Sequence, residues 1–311
     1  MEKYCFGVDL GGTTVKIGLF DEAKKLLEKW EIPTRKDNGG SLILDDIALS
    51  IRGKMAEKSI ADSDVTGIGI GVPGAVTKDG VVNKCINLGW GVFNVEEIFS
   101  EKMGGIAVKA GNDANVAALG EYVAGAGKKY SSMVFVTIGT GVGGGIVLDG
   151  NIIAGKNGAA AEIGHLPVVY DEEETCNCGK KGCLEQVAGS AGIVRQAARL
   201  LDSTNEPSSL RNIQYISVKA IFDEAKKGDK LALQVVDNTA RYLGIALANV
   251  GCMFDPECFI IGGGVSYAGE FLIERIKSAY QTNVFHASRG AKIELATLGN
   301  DAGMYGAVNL F

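Results

Sequence analysis

The amino-acid sequence predicts an α/β fold built from two similar halves, and three observations carry that expectation. Tyr4 to Leu10 is an apolar run, Gly11-Gly12-Thr13-Thr14 interrupts it, and a second apolar run follows from Val15 to Phe20 before Asp21. This is the pattern of strand, glycine turn, strand. The same unit then returns later in the chain. Aligning Val8-Asp9 with Val136-Thr137 sets Gly11 on Gly139, Thr13 on Gly141 and Phe20-Asp21 on Leu148-Asp149 without a gap, so that SMVFVTIGTGVGGGIVLDG (Ser132 to Gly150) repeats the opening segment. Internal duplication of this kind implies two related halves facing one another. Third, apolar runs of strand length alternate with helical periodicity along most of the chain.

At 311 residues the chain is long enough for two domains, each with its own core. Hydrophobic residues make up 46% and charged ones 22%, the balance of an ordinary globular protein, while 44 glycines against 5 prolines put most of the unusual composition into loops. A net charge of −6 argues against nucleic acid as a partner, since holding a phosphate backbone needs a basic face. A nucleotide is still compatible, because backbone amides and a metal can hold its phosphates. The longest run of apolar or small residues, near Ile245 to Phe254, is too short to span a bilayer, so no membrane is expected. Met1-Glu2-Lys3 leads straight into a strand-like run, so no secretory leader is expected either. Cys5, Cys85, Cys252 and Cys258 sit in apolar or mixed segments and read as reduced core thiols, which points to the cytoplasm.

Taken in order, the first hairpin exposes several backbone amides at its tip, as an anion site would, although a plain hairpin turn has the same local sequence. Leu26 to Ile32 is a possible third strand. Ile43, Ile47, Ile51 and Met55 step by four and mark an amphipathic helix. Val65 to Val72 reads as a strand ending at Pro73-Gly74, Gly80-Val81-Val82 as a turn and short strand, and Asn87 to Trp90 as a loop. Asn94 and Glu97 have the spacing of an N-cap and its partner. Ile106 to Ala110 is a short strand that ends at Gly111-Asn112-Asp113-Ala114-Asn115, where a helix from Val116 to Ala124 begins. Asp113 can be read there as a helix cap. Further on, Ser190 reads as the cap of a helix to Leu201, Asn205 to Asn212 as a polar connection, and Ser217 to Lys227 and Asp229 to Gly251 as two helices. Cys258 to Ile261 is a strand leading into Gly262-Gly263-Gly264, and Asp301 to Leu310 is a closing helix. No GxxxxGK[ST] phosphate loop occurs.

The most specific stretch runs from Gly158 to Glu185. Cys176, Cys178 and Cys183 lie close together in CNCGKKGCLE, and His165, one of 2 histidines, precedes them in GAAAEIGH. One histidine and three cysteines match a closed, structural Zn²⁺ site, with Gly179 and Gly182 suited to the turn around the ion. Glu162 and Glu185 flank these ligands, and two carboxylates fixed by a metal suit hydrogen bonding to a polyhydroxylated ligand. The pattern E-x-G-H followed by C-x-C-G-x-x-G-C-L-E resembles the signature of the ROK (repressor, ORF, kinase) sugar kinases, and CNCGKKGCLEQVAGSAGI is most similar to the family's glucokinase branch.

The resemblance covers essentially the whole chain. It implies the actin-like ATPase (ribonuclease H-like) fold, with two domains flanking an ATP and sugar cleft. The expected smaller domain spans 1–116 plus 298–311 and the larger spans 117–297, with Asp113 at the hinge. It further implies phosphoryl transfer from ATP to the 6-hydroxyl of glucose or a similar hexose, with Mg²⁺. Asp113 would be the catalytic base, and Asn87, Asn112, Asp113, Glu162, His165 and Glu185 would line the sugar. Asp9, Gly11, Gly12, Thr13, Gly139, Thr140, Gly141, Gly262, Gly263 and Gly264 would hold the nucleotide and its metal, and a homodimer is the family's habit. Another hexose, such as N-acetylmannosamine, allose or fructose, would suit the same residues. A non-catalytic sugar sensor is the rival from a different class, and the presence of Asp9, Asp113 and both glycine turns weighs against it. With no room before the first strand for a helix-turn-helix, a kinase is expected rather than a repressor.

Overall fold

A computed structural model describes residues 2–311. The chain opens with three antiparallel strands, β1 (Tyr4–Leu10), β2 (Thr14–Asp21) and β3 (Leu26–Pro33), in which Asp9 pairs with Lys16 and Leu10 with Val15 around the first glycine turn. A four-residue turn of helix, α1 (Asp37–Gly40), precedes α2 (Ile43–Lys58), where Ile43, Ile47, Ile51 and Met55 are all buried. β4 (Val65–Val72) then joins β1 in parallel. The ribbon of β5 (Val81–Cys85) and β6 (Trp90–Asn94) leads to α3 (Val95–Lys102), capped by the Asn94 side chain on the Glu97 N–H at 3.2 Å. β7 (Val108–Asn112) adds to β4 in parallel and runs directly into α4 (Asp113–Val123).

The second half repeats this plan. β8 (Ser132–Ile138), β9 (Val142–Leu148) and the short β10 (Asn151–Ile152) follow α4, then α5 (Glu185–Ala188), α6 (Ser190–Ser203), α7 (Val218–Lys226) and the long α8 (Lys230–Phe254). β11 (Cys258–Gly262), α9 (Glu270–Asn283), β12 (Lys292–Leu295) and α10 (Ala302–Ala307) complete the chain. One sheet has the order β3-β2-β1-β4-β7 and the other β10-β9-β8-β11-β12. In both, a glycine-turn pair sits beside two further strands added in parallel, so the duplication seen between the hairpins extends through each sheet.

The chain separates into two compact units: Met1–Ser131, Gly145–Ala161 and Thr297–Phe311 form one, and Ser132–Gly144 with Glu162–Ala296 the other. By contacts, 117–131 and 145–161 therefore group with the first unit. Its core is the apolar face of the first sheet against α2 and α3, with Phe6, Ile17, Ile47, Ile51, Ile68 and Phe99 wholly buried. Apolar side chains on β1, β2, β4, α3 and one stripe of α2 supply that burial, worth about 1.5–3 kcal/mol for each fully buried side chain. The other face of the sheet carries α10. In the second unit α8 buries Leu231, Val235, Leu243, Leu247 and Val250, while Tyr242 is only half-buried.

Two local expectations are corrected. Ser190 does not cap α6; its hydroxyl donates to the Gly139 carbonyl at 2.7 Å, and no side chain caps that helix. Cys252 is not a core thiol. It lies exposed near the end of α8, whereas Cys5, Cys85 and Cys258 are buried. Among the described residues no helix is long and apolar enough to cross a membrane.

Candidate active site

In the first unit the turn from β7 into α4 sets the polar residues. Asn112, not Asp113, is the N-cap. Its Oδ1 accepts from the Asn115 N–H at 3.0 Å, while its Nδ2 donates to the Gly74 carbonyl at 3.0 Å and to Asp113 Oδ1 at 3.0 Å. Asp113 is the first helical residue, and the same Oδ1 accepts the Ala114 N–H at 2.8 Å. The carboxylate thus stands at a helix N-terminus, oriented by two donors and relieved of the capping role. Asn87 lies exposed in the loop before Gly89, and that loop is held from behind by the Trp90 indole N–H on the Gly40 carbonyl at 3.0 Å.

The first glycine turn is closed by Gly11 N–H on the Thr14 carbonyl at 3.0 Å, and by Thr34, whose hydroxyl donates to the Gly11 carbonyl at 2.7 Å. Asp9 sits at its base. Burial pushes the Asp9 carboxyl up from its ordinary range, and the Lys16 ammonium, 3.9 Å away, pulls it back. A cation beside Asp9 would favour its ionised form in the same way.

In the second unit Gly139 N–H donates to the Gly141 carbonyl at 2.9 Å, one residue tighter than the equivalent bond in the first turn. A Cβ on Gly12 or Gly139 would meet nothing within 4 Å, so the backbone at both tips is open. Gly141 differs, since a Cβ there would fall 2.1 Å from Glu185 Oε2. Of Gly262, which ends β11, and Gly263 and Gly264 after it, Gly263 is the one whose backbone lies at positive φ. Its φ is +82°, and a Cβ would fall 2.5 Å from the Ile138 backbone.

His165, Cys176, Cys178 and Cys183 converge, with one donor atom from each within 4.8 Å of all the others. Cys178 Sγ and Cys183 Sγ are 3.6 Å apart, and Cys176 Sγ lies 3.7 Å from His165 Nδ1. A tetrahedron with Zn–S near 2.3 Å and Zn–N near 2.05 Å has S–S edges of about 3.8 Å and S–N edges of about 3.6 Å. The donors fit that ion, and the sulfurs are too far apart for a disulfide bond of about 2.05 Å. Burial, with the neighbouring sulfurs adding to it, pushes the Cys183 thiol up to about 12; a cation at the centre would be needed to hold it as thiolate. The fold of the loop follows from the sequence. Gly182 has φ +74°, and a Cβ there would fall 1.7 Å from the Val169 carbonyl. Pairing of Pro167 with Cys183 and of Thr175 with Lys181 closes the two arms. Glu162 precedes the short turn of helix Ile163–His165, and Cys176 Sγ approaches Glu185 Oε1 at 3.6 Å.

Sequence reasoning missed what anchors this loop. Glu172, buried, takes a two-pronged interaction from Arg199 at 3.1 and 3.2 Å, which holds its carboxyl down at about 2. Arg199 and Arg195 both bind Glu174, and Gln186 bridges the Cys183 N–H (3.1 Å) and the Glu174 carbonyl (3.0 Å). Two arginines four apart on one helix, after an acidic run at 172–174, were the available signal.

A family model described as "ROK family" matches residues 5–311. The chain belongs to the ROK family. It is 42% identical to a glucokinase of Halalkalibacterium halodurans over 98% of this chain and 94% of that protein. Among solved structures, a ROK hexokinase from Thermus thermophilus superposes with a TM-score of 0.83 at 32% identity, covering 100% of this chain and 97% of the other. A ROK glucokinase from Streptomyces griseus, solved with glucose and AMPPNP, gives 0.78 at 33% identity over 99% and 98%. As a ROK protein the chain has the actin-like ATPase fold, which the paired five-stranded sheets of equal order express.

Proposed function

We propose that this protein is an ATP-dependent glucokinase that transfers the γ-phosphoryl group of ATP to the 6-hydroxyl of glucose. The observation that carries the reading is the identity with a glucokinase along almost the whole chain. The placement of Asp113 supports it, because Asn112 does the capping and the Asp113 carboxylate stands oriented at the helix N-terminus.

In this reading the Asp113 carboxylate takes the proton of the sugar hydroxyl as that oxygen bonds to the γ-phosphorus. The bond to the β,γ-bridging oxygen breaks and ADP leaves. General-base help of this kind is worth about 10²–10⁴ in rate. Asn87, Asn112, Glu162, His165 and Glu185 are the residues assigned here to hydrogen bonds with the sugar hydroxyls. With Nδ1 turned to the cysteines, His165 has Nε2 for a hydroxyl. The amides around Gly11, Gly12 and Thr13, and around Gly139, Thr140 and Gly141, receive the phosphates, and Gly262 to Gly264 approach the adenosine. Asp9 would help hold the Mg²⁺ that accompanies the nucleotide, and that ion would offset charge on the phosphoryl oxygens. His165, Cys176, Cys178 and Cys183 would hold one Zn²⁺; a closed four-ligand set gives that ion a structural part only. A cytoplasmic homodimer is the assembly we expect.

The test is an ADP-coupled assay with glucose, N-acetylmannosamine, allose and fructose, with the product identified as the 6-phosphate. Glucose should give the highest kcat/KM. A higher value for another hexose would reassign the substrate, and sugar binding without turnover for all four would make the protein a sensor.

A further inference from the structure

Glu121, on α4, is wholly buried, and none of the roles assigned above uses it. Its hydrogen bonds all come from chain segments next to places where the polypeptide passes between the two units. Oε2 accepts the Ala126 N–H at 2.9 Å, in the segment that leads to the crossing at 131/132. Oε1 accepts the Thr297 N–H at 3.0 Å and the Leu298 N–H at 2.7 Å, immediately after the return crossing at 296/297. The Thr297 hydroxyl adds a longer contact to Oε2 at 3.4 Å. The chain leaves a space of matching shape, because a Cβ on Gly125 would fall 2.0 Å from Glu121 Oε2.

A carboxylate stripped of water is costly unless donors replace the water, and here backbone amides do so. One side chain therefore fixes the first outgoing and the last returning segment to the same point on α4. Asp113 begins that helix eight residues earlier, about 12 Å along its axis. We propose that Glu121 is a positioning residue that holds the first and the last of the four chain crossings in register with the helix carrying Asp113, so that the carboxylate keeps its reactive placement through turnover. The kinetic consequence rests on the glucokinase reading; the structural one does not.

Glu121→Gln keeps the shape but presents an NH₂ group to N–H donors. Whichever way the amide turns, either Ala126 or Leu298 loses its acceptor, since the Thr297 N–H reaches both oxygens (3.0 and 3.2 Å). Ala126→Pro attacks the same bond from the other side. Ala126 opens a 3₁₀ turn, a position where proline is tolerated, and Gly125 before it lies outside the helical region that a following proline disfavours (φ −108°, ψ −147°). At a temperature where each variant is fully folded by circular dichroism, kcat should fall at least about ten-fold with KM for glucose and ATP within about three-fold. Hydrogen exchange at residues 126, 297 and 298 should accelerate at least about ten-fold while β1 stays protected. A Gln variant with wild-type kcat, or a loss of activity that only tracks the unfolded fraction, would overturn the proposal. If the wild type itself did not phosphorylate glucose, the functional reading would fall, and the exchange measurement would still decide whether Glu121 holds the crossings.

Discussion

At Asp113 a carboxylate one position inside a helix has its orientation fixed by Asn112 Nδ2 and the Ala114 N–H, while the cap is supplied by its neighbour. Asp113→Asn should therefore leave α4 intact and glucose affinity within a few-fold by calorimetry, because an amide still hydrogen-bonds a hydroxyl. It cannot take the proton, so kcat should drop at least about 100-fold. Near-normal turnover would remove Asp113 from the mechanism. The two glycine turns call for a finer distinction than their matched sequences give. With nothing within 4 Å of a Cβ at Gly139, Gly139→Val should fold normally yet stand in front of the amides, raising KM for ATP at least about ten-fold with little change for glucose. Gly141→Val should disturb both substrates, because its side chain would displace the Glu185 carboxylate. Equal effects of the two variants on ATP alone would show that Glu185 has no part in binding sugar. Residue types and spacing identified both turns, but the contact between Gly141 and Glu185 joins positions 44 apart, and no local pattern encodes it.

Among the elements, the loop from His165 to Cys183 has little apolar core of its own, and two sets of groups meet on it: the Cys and His donors, which would hold a metal, and the arginine clamp on Glu172 and Glu174. The first set was legible because cysteine spacing is a chemical constraint. The second was not, because Glu172 gains its meaning only from the approach of α6. Metal binding by such a loop contributes directly to folding. Cys178→Ser should lose about one equivalent of zinc by elemental analysis and raise the glucose KM well above any change for ATP, since Glu162, His165 and Glu185 flank the donors. The clamp should survive, leaving α6 folded by hydrogen exchange. Fully active wild-type protein free of zinc would count against the assignment, as would a Cys178→Ser protein that binds glucose normally.

For the molecule as a whole, the last element completes a core begun by the first. α10 lies against β1, β4 and α4 at distances that only glycine permits: a Cβ would fall 2.3 Å from the Met304 carbonyl at Gly7, 1.8 Å from the Ala307 carbonyl at Gly69, and 2.0 Å from the Ala302 carbonyl at Gly120. Gly306 on α10 itself returns the relation, 1.7 Å from the Val116 carbonyl. The sequence announced a closing helix and an excess of glycine, but single glycines on four distant elements do not declare that they meet. Backbone carbonyls cannot rotate away as a side chain can, so Gly306→Ala must move α10 bodily, at a cost of about 1–3 kcal/mol or more. Gly53, exposed on α2 with nothing within 4 Å of its Cβ, offers the opposite case, where alanine should add about 0.5–1 kcal/mol by restricting the unfolded chain. In thermal unfolding, Gly306→Ala should lower Tm by at least about 2–4 °C, while Gly53→Ala should leave it unchanged or slightly raised. If Gly306→Ala were as stable as Gly53→Ala, the close seating of α10 on α4 would not be what joins the C-terminus to the first unit.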